Sequence, residues 1–237
     1  MLTPAGRVAM VSGASRGIGR AVVETLHAKG YSVSAGARDP EALARTLAPL
    51  AGDRLLCARY DAADRDSHRD WVEATLARFG RIDALVNNAG TSNTFSIEAG
   101  EEAELDDLVA INVKGPLFLT RLCLPHLRAS GAGRVVNVSS LSGKRVRNDN
   151  IAYAMTKFAL MALTHGVRRM GWDDGVRATA LCPGFVATDL TAGVNKVARE
   201  EMIDAGDLAE LAATVIALPN TASVAELLVN CRHEDML

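Results

Sequence analysis

The sequence predicts an α/β fold in which a doubly wound, mostly parallel sheet carries helices on both faces. Short apolar runs of strand length alternate with longer amphipathic segments along the chain. The runs are continuously apolar, which is typical of parallel strands buried on both faces rather than of half-exposed antiparallel strands. No linker, repeat or low-complexity tract divides the sequence, so we expect a single domain over residues 1–237.

The elements follow from the apolar pattern in chain order. Predicted strands are Arg7–Val11, Tyr31–Ala35, Arg54–Arg59, Ala84–Val86, Arg134–Val138 and Arg177–Leu181, with a final strand within Ala222–Asn230. Helical spacing of apolar residues predicts helices at Ile18–Lys29, Ser67–Phe79, around Leu105–Leu127 and over Tyr153–Arg169. Ligands of such sheets bind beyond the carboxyl ends of the strands, so we expect function in the loops that follow strands.

Composition excludes several classes of protein. The sequence has 26 Lys and Arg residues against 28 Asp and Glu residues, so it has no excess of positive charge that would favour binding to nucleic acid. The four cysteines form no C-x-x-C pair, and the five histidines show no metal-ligand spacing, so we expect reduced thiols and no metal. No apolar stretch approaches the ~18 residues of a membrane span, and the first apolar run is too short for a signal peptide. We therefore expect a cytoplasmic protein without a membrane partner.

A glycine-rich loop joins the first strand to the first helix. It reads Ser12-Gly13-Ala14-Ser15-Arg16-Gly17-Ile18-Gly19. Glycines let the backbone approach a pyrophosphate, and a helix N-terminus offers free N–H groups and the positive end of a dipole. The Gly-x-x-x-Gly-x-Gly spacing departs from the usual G-x-G-x-x-G fingerprint, and three glycines alone form only a turn. The strand before and the helix after are what make the loop a candidate dinucleotide site.

The end of the second strand bears on the choice between NAD and NADP. An acid there hydrogen-bonds a ribose 2′-hydroxyl, whereas a base pairs with a 2′-phosphate. Asp39 lies about 20 residues beyond the last glycine of the loop, where such an acid is expected. However, Asp39-Pro40 is also a helix N-cap followed by a proline at the first helical position. On that interpretation Arg38 and Arg16 are free to hold a phosphate, and we expect NADP to be preferred over NAD.

A serine, a tyrosine and a lysine form the candidate catalytic set. Ser140 follows the strand Arg134–Val138, and Tyr153 and Lys157 are four residues apart, on one face of a predicted helix. A phenol has a pKa of about 10, and a nearby ammonium can lower it toward neutrality for acid–base work. Ser140 would donate a hydrogen bond to the substrate oxygen. The alternative is that Ser140 ends a strand, Tyr153 packs in the core and Lys157 is solvated.

Together these motifs resemble the classical short-chain dehydrogenase/reductase family over nearly the whole chain. The resemblance rests on the Ser12–Gly19 loop, Asp61, Asn87-Asn88-Ala89-Gly90, Asn112, Ser140, Tyr153, Lys157 and Pro183-Gly184. It implies a Rossmann-type fold, an NAD(P) cofactor and a small-molecule carbonyl or alcohol substrate. It also implies roles for further residues: adenine contact for Asp61, cofactor support for Asn88, Ala89, Gly90, Tyr153, Lys157, Pro183 and Gly184, and nicotinamide carboxamide contact for Val186 and Thr188.

Asn112 joins the catalytic set through the same resemblance. Its main-chain carbonyl would accept from residue 116 in a helix, but Pro116 has no N–H. We therefore predict that the free carbonyl holds a water linked to Lys157 and extends a proton relay from Tyr153. The alternative is that Pro116 merely kinks a core helix.

The sequence departs from the family pattern at two points. Ser12 replaces the usual threonine but keeps the hydroxyl. The C-terminal segment Ala222–Asn230 lacks the Asp-Gly-Gly that often closes family members, which leaves open whether the chain forms a homodimer or a homotetramer. A dimer through the two long helices is expected.

Residues 185–201 are predicted to form a mobile lid over the substrate, because they follow a strand and mix glycine with polar residues. The basic run Lys144-Arg145-Val146-Arg147 could flank the substrate opening, although a solvated loop is favoured. The function expected is hydride transfer between a nicotinamide and a carbonyl or alcohol. A catalytically idle NADP-binding redox sensor or scaffold remains the alternative. A sugar-nucleotide epimerase or dehydratase is disfavoured, since the chain has no room for an added substrate domain.

Overall fold

The computed structural model describes residues 1–233 and contains one seven-stranded parallel sheet. Its strands are β1 Val8–Ser12, β2 Ser32–Ala37, β3 Leu55–Arg59, β4 Ala84–Asn87, β5 Arg134–Val138, β6 Arg177–Pro183 and β7 Glu226–Val229. Their order across the sheet is β3-β2-β1-β4-β5-β6-β7. The order reverses between β1 and β4, which places a crevice at the carboxyl ends of these two strands. The predicted doubly wound α/β class is confirmed.

Helices cover both faces of the sheet. They are α1 Gly17–Ala28, α2 Pro40–Thr46, α3 Arg65–Phe79, α4 Glu102–Val109, α5 Gly115–Ala129, α6 Ile151–Gly171 and α7 Ala205–Ala217. Helices α1, α2 and α7 bury their apolar residues on one face, whereas α3, α5 and α6 bury theirs on the other. Four short 3₁₀ turns, at Ala48–Leu50, Leu141–Gly143, Asp189–Thr191 and Arg199–Glu201, lie in the connections.

Side chains at the helix starts explain where several helices begin. Asp64 accepts from the N–H groups of Asp66 and Ser67 at the start of α3, and Asn150 accepts from Tyr153 N–H at the start of α6. The N-cap at α6 has a functional consequence, because it fixes the first turn from which Tyr153 projects.

A π-turn, Ala110–Lys114, joins α4 to α5. Gly115 N–H donates to the carbonyl of Ala110, five residues back, just before Pro116. By length and composition alone the continuous segment Glu102–Ala129 could cross a membrane. In the fold, however, Leu119, Cys123 and Leu127 of this segment belong to the core between the sheet and α3, so it is a core helix.

Candidate active site

A cavity of about 980 Å³ opens at the carboxyl ends of the strands. Nearly all of the residues predicted for the site line it: Gly13, Ser15, Arg16, Gly17, Ile18, Arg38, Asp61, Asn88, Ala89, Gly90, Ser140, Tyr153, Lys157, Pro183, Gly184, Val186 and Thr188. Gly19 and Asn112 lie behind its wall and contact the residues that form it. The fold thus brings together residues that are spread over most of the sequence.

The glycine loop packs too closely for side chains. Gly13 has φ +67°, and a Cβ there would lie 2.8 Å from Ala89 Cα. At Gly19 a Cβ would lie 2.2 Å from the carbonyl oxygen of Gly13. Larger residues at either position would push the loop away from α1 and from the loop after β4.

The first turn of α1 has no cap of its own. Arg16 occupies the N-cap position but its side chain makes no capping hydrogen bond, and the first turn contains no acidic residue. The turn therefore presents N–H groups without side-chain acceptors, together with the positive end of the helix dipole, at the wall of the cavity. This arrangement fits an anion such as the pyrophosphate of a dinucleotide.

The Ser12 hydroxyl ties the loop after β4 to the loop after β1. It accepts from the N–H groups of Asn88 (3.0 Å) and Ala89 (3.1 Å), and its oxygen lies 3.3 Å from the carbonyl oxygen of Val86. The Asn88 side-chain amide donates back to the carbonyls of Ser12 and Gly13. The Ser12 hydroxyl therefore fixes the two loops relative to each other.

The acid at the end of β2 has a structural role. Asp39 accepts from Ala42 N–H at 2.9 Å and caps α2, as its N-cap interpretation requires. Arg38 lines the cavity and has no hydrogen bond or ion pair with the part of the chain the structure describes. Arg16, expected to be free, is instead paired with Asp189 at 3.0 Å on the surface. Of the two predicted phosphate ligands, only Arg38 therefore has a side chain without a partner among residues 1–233.

Asp61 is held in place by the start of α3. The Ser67 hydroxyl accepts from Asp61 N–H at 3.0 Å, and His68 Nε2 lies 3.0 Å from the Asp61 carbonyl oxygen. The Asp61 carboxylate accepts from Ala63 N–H. The side chain is thereby oriented at the β1–β2 end of the cavity.

Ser140, Tyr153 and Lys157 meet at the opposite end. The Ser140 side chain lies close enough to the Tyr153 hydroxyl to lower its pKa, and the Ser140 hydroxyl accepts from Ser142 N–H at 3.1 Å. Lys157 Nζ donates to the carbonyl of Val138 at 2.9 Å and lies 5.5 Å from the centre of the Tyr153 ring. The two side chains share one helix face, as their spacing predicts.

The pKa values of this pair differ from the sequence expectation. Burial raises the pKa of Tyr153 to about 12, and the nearby Ser140 side chain offsets only part of that rise. Burial also lowers the pKa of Lys157 to about 8. In the protein alone burial therefore outweighs the effect that lowers the phenol pKa, and the lowering expected from Lys157 together with a bound nicotinamide stays a prediction. At neutral pH the tyrosine is a protonated acid.

Asn112 connects the loop after β4 to α6. Its buried amide accepts from Thr91 N–H at 2.9 Å and donates to the Thr91 carbonyl and to Thr156 Oγ1. Thr156 directly precedes Lys157, so this side chain fixes the loop relative to the catalytic helix. The water relay through the Asn112 main-chain carbonyl stays a prediction.

The sequence indicated only part of a basic group that lies in the cavity wall. Arg145 and Arg147 line the cavity, although a solvated loop was favoured for their run, and Lys196 and Arg232 join them. Lys144, from the same run, instead pairs with Glu226. Each of these cations follows strand β5, β6 or β7 in the sequence. Because the loops at the carboxyl ends of neighbouring parallel strands converge, these positions could have predicted that the cations lie together.

Comparison with known proteins agrees with this geometry. A family model described as short chain dehydrogenase matches residues 7–199. Among curated proteins, an agropine synthesis reductase of Rhizobium rhizogenes is 43% identical over 97% of this chain but only 53% of its own length. The chain therefore spans about half the length of that relative.

Two solved structures carry nicotinamide dinucleotides. An alcohol dehydrogenase from the archaeon Thermococcus sibiricus, complexed with 5-hydroxy-NADP, is 27% identical with a TM-score of 0.86, covering 94% of this chain and 95% of its own. A 3-ketoacyl-(acyl-carrier-protein) reductase from Brucella melitensis, complexed with NADH, is 28% identical with a TM-score of 0.88, covering 96% and 98%.

Proposed function

This chain belongs to the short-chain dehydrogenase/reductase family of oxidoreductases, and we propose that it transfers a hydride between NADP and a small carbonyl or secondary alcohol substrate. The observation that carries the proposal is that Ser140, Tyr153 and Lys157 line the same cavity as the first turn of α1, which has no side-chain cap. One end of the cavity suits an anionic cofactor, and the other holds an acid for a substrate oxygen.

Each side chain of the set has one task in the proposed reaction. When bound, the nicotinamide supplies or takes the hydride at the substrate carbon. Tyr153 gives its proton to the carbonyl oxygen during reduction and takes it back from the alcohol during oxidation. Ser140 orients that oxygen by a hydrogen bond, and the charge of Lys157 favours the phenolate left behind.

We expect NADP to be preferred because Arg38 is uncommitted while Asp39 is engaged as a helix cap. Replacing Arg38 by leucine should raise the KM for NADPH about ten-fold or more while leaving that for NADH nearly unchanged. Arg45→Gln, an exposed change on α2, is the matched control. An equal loss with both cofactors, or a native preference for NADH, would contradict the assignment.

Two further predictions from the sequence belong to this proposal. Residues 185–201, which include two 3₁₀ turns, act as a lid over the substrate. The chain forms a homodimer or homotetramer through α5 and α6, where Leu117, Met155 and Phe158 are 44%, 56% and 43% exposed. Sedimentation of wild type and Phe158→Glu tests the interface, and an unchanged monomeric species in both would refute it.

The catalytic assignment is tested by NADPH consumption on a panel of aldehydes, ketones, quinones and 3-oxo esters. Tyr153→Phe should lose turnover while still binding NADPH. Tyr31→Phe is the matched control, because it removes a buried hydroxyl that has no partner among residues 1–233 and does not line the cavity. Absence of turnover on every substrate, with cofactor binding intact, would favour the idle sensor or scaffold instead.

A further inference from the structure

The side-chain amide of Asn150 makes two hydrogen bonds at the start of α6. Its Oδ1 accepts from Tyr153 N–H at 3.3 Å, and its Nδ2 donates to the hydroxyl of Ser92 at 3.0 Å. Asn150 and Ser92 both line the cavity and are half-buried, whereas residues 146–149 just before Asn150 are exposed. The amide therefore joins the loop after β4 to the helix that carries the candidate acid.

Helix capping explains only one of these two contacts. An N-cap needs an acceptor for a free N–H group of the first turn, and Ser, Thr or Asp would serve as well as Asn. Asn differs from these in carrying a separate NH₂ donor beside its acceptor oxygen. Because Tyr153 N–H can only donate, the amide oxygen faces it and the NH₂ group faces Ser92. Donation to the Ser92 oxygen is therefore a second task, which capping does not require.

The Ser92 hydroxyl retains a hydrogen that it can donate. A hydroxyl offers one hydrogen and two acceptor lone pairs, and the Asn150 amide uses one lone pair. The hydrogen has no acceptor among residues 1–233, and the side chain lies in the cavity wall. A molecule bound in the cavity can therefore supply the acceptor.

The main chain beside Ser92 is held as well. The buried amide of Asn112 accepts from Thr91 N–H at 2.9 Å and donates to the Thr91 carbonyl at 2.8 Å. Thr91 directly precedes Ser92, so one amide holds the backbone of this short stretch and another holds its hydroxyl. A donor held in place before the ligand arrives loses less conformational freedom on binding and favours one orientation of the ligand.

We propose that Ser92 donates a hydrogen bond to a second oxygen of the substrate, and that Asn150 is the positioning residue that directs this bond. The link to Asn150 places the hydroxyl at the end of the cavity that holds Ser140 and Tyr153, which serve the reacting oxygen, whereas Arg38 lines the cofactor end. The proposal rests on the function proposed above and adds a substrate class: carbonyl compounds or alcohols with a hydroxyl, ketone or ester oxygen near the reacting carbon.

Matched pairs of ketones that differ in the second oxygen test the proposal. Suitable pairs are hydroxyacetone with 2-butanone, 2,3-butanedione with 3-methyl-2-butanone, and ethyl acetoacetate with 2-heptanone. The ratio of kcat/KM for the oxygenated ketone to that for the plain ketone is compared between wild type and Ser92→Ala, so that differences in intrinsic reactivity cancel. For at least one pair this ratio should fall about three- to ten-fold, the contribution of a hydrogen bond between neutral groups.

Variants of Asn150 separate positioning from capping. Asn150→Ser keeps an acceptor for the helix start but is too short to reach Ser92 as well. It should lower the ratio about as much as Ser92→Ala, with Tm changed by less than about 2 °C. The double variant should lose no more than Ser92→Ala alone, because both changes remove the same hydrogen bond. Asn93→Ser is the matched control and should leave the ratio unchanged, since that amide also accepts from an N–H (Phe95) and donates to a carbonyl (Glu104) but does not line the cavity.

Two kinetic results would overturn the proposal. If the losses from Ser92→Ala and Asn150→Ser add, or if Asn150→Ser lowers Tm and slows both members of every pair equally, then Asn150 acts on the helix alone. If Ser92→Ala raises the KM for NADPH and leaves every ratio unchanged, the hydroxyl serves the cofactor rather than the substrate.

Binding separates failure of the substrate class from failure of the reaction. Titration calorimetry of each pair against the NADP-loaded protein gives an affinity that does not depend on turnover. Tighter binding of the oxygenated ketone, weakened in Ser92→Ala, supports the site even if no pair is turned over. Turnover that Tyr153→Phe abolishes, with ratios and affinities that Ser92→Ala leaves unchanged, would overturn the substrate class while leaving the oxidoreductase intact. Neither binding nor turnover of any oxygenated ketone would also overturn it.

Discussion

Replacing Lys157 by methionine should stabilise the protein while removing its activity. The ammonium is buried, with 7% exposure, and burial lowers its pKa from 10.5 to about 8. That shift corresponds to a penalty of about 3 kcal/mol for keeping the charge at pH 7. The hydrogen bond to the Val138 carbonyl would be lost at a cost of about 1 kcal/mol. The net gain in the free energy of unfolding should be about 2 kcal/mol, or about 4–8 °C in Tm.

The pH dependence identifies the cause. Below pH 8 the lysine is charged in both folded and unfolded chains, and the full penalty applies. Between about pH 8 and pH 10.5 the unfolded chain binds more protons than the folded one, so wild-type stability rises with pH. The advantage of methionine should therefore be largest at neutral pH and shrink across this window.

Urea unfolding at pH 7 and at pH 10 measures the effect, with turnover of NADPH assayed in parallel. Lys114→Met, at an exposed position on the π-turn, is the control and should change stability by less than about 0.5 kcal/mol at either pH. The reasoning would be refuted if Lys157→Met were less stable than wild type at pH 7, or if the difference in unfolding free energy between the two proteins did not vary with pH. Either result would mean that burial of the charged ammonium does not destabilise the protein.

Three further substitutions test contacts around the cavity. Asp39→Ala should cost about 1 kcal/mol of stability, measured by urea unfolding, without changing the preference for NADP; a switch in cofactor preference would mean that the acid contacts the ribose. Gly143→Ala places a Cβ 2.8 Å from the carbonyl oxygen of Lys157, so stability should fall by about 1–3 kcal/mol and kcat with it, whereas normal kinetics would show that the turn yields freely. Ser12→Ala leaves the N–H groups of Asn88 and Ala89 without their acceptor, so it should raise the KM for NADPH and lower Tm. Ser12→Thr keeps the hydroxyl and should have the wild-type KM and Tm. Equal behaviour of the two variants would contradict a role for the hydroxyl.

Much of the fold could be predicted because its signals are local. Continuous apolar runs predict the strands to within a few residues. The pair Asp39-Pro40 predicts the start of α2, where Asp39 accepts from Ala42 N–H. The sequence analysis predicts no helix over Ala205–Ala217, although α7 has apolar residues at helical spacing there.

The site was predictable in its residues but not in its electrostatics. The spacing of Tyr153 and Lys157 places both on one face, yet the direction in which the tyrosine pKa shifts depends on burial, which the spacing does not reveal. The pairing of Arg16 with Asp189 joins positions 173 residues apart and has no local signature. Lys196 and Arg232 likewise line the cavity from segments far from the run Lys144–Arg147, so that run alone does not identify them as neighbours.

Because the start of α1 has no side-chain cap, the stability of the folded chain should depend on how much coenzyme is bound there. A ligand that fills this helix end adds its binding free energy to the native state alone, which amounts to about 2.7 kcal/mol when its free concentration is 100 times Kd. Depletion of the dinucleotide would then expose the chain to unfolding and proteolysis as well as halting turnover. Selection for tighter coenzyme binding in this fold would, by the same route, select for resistance to heat.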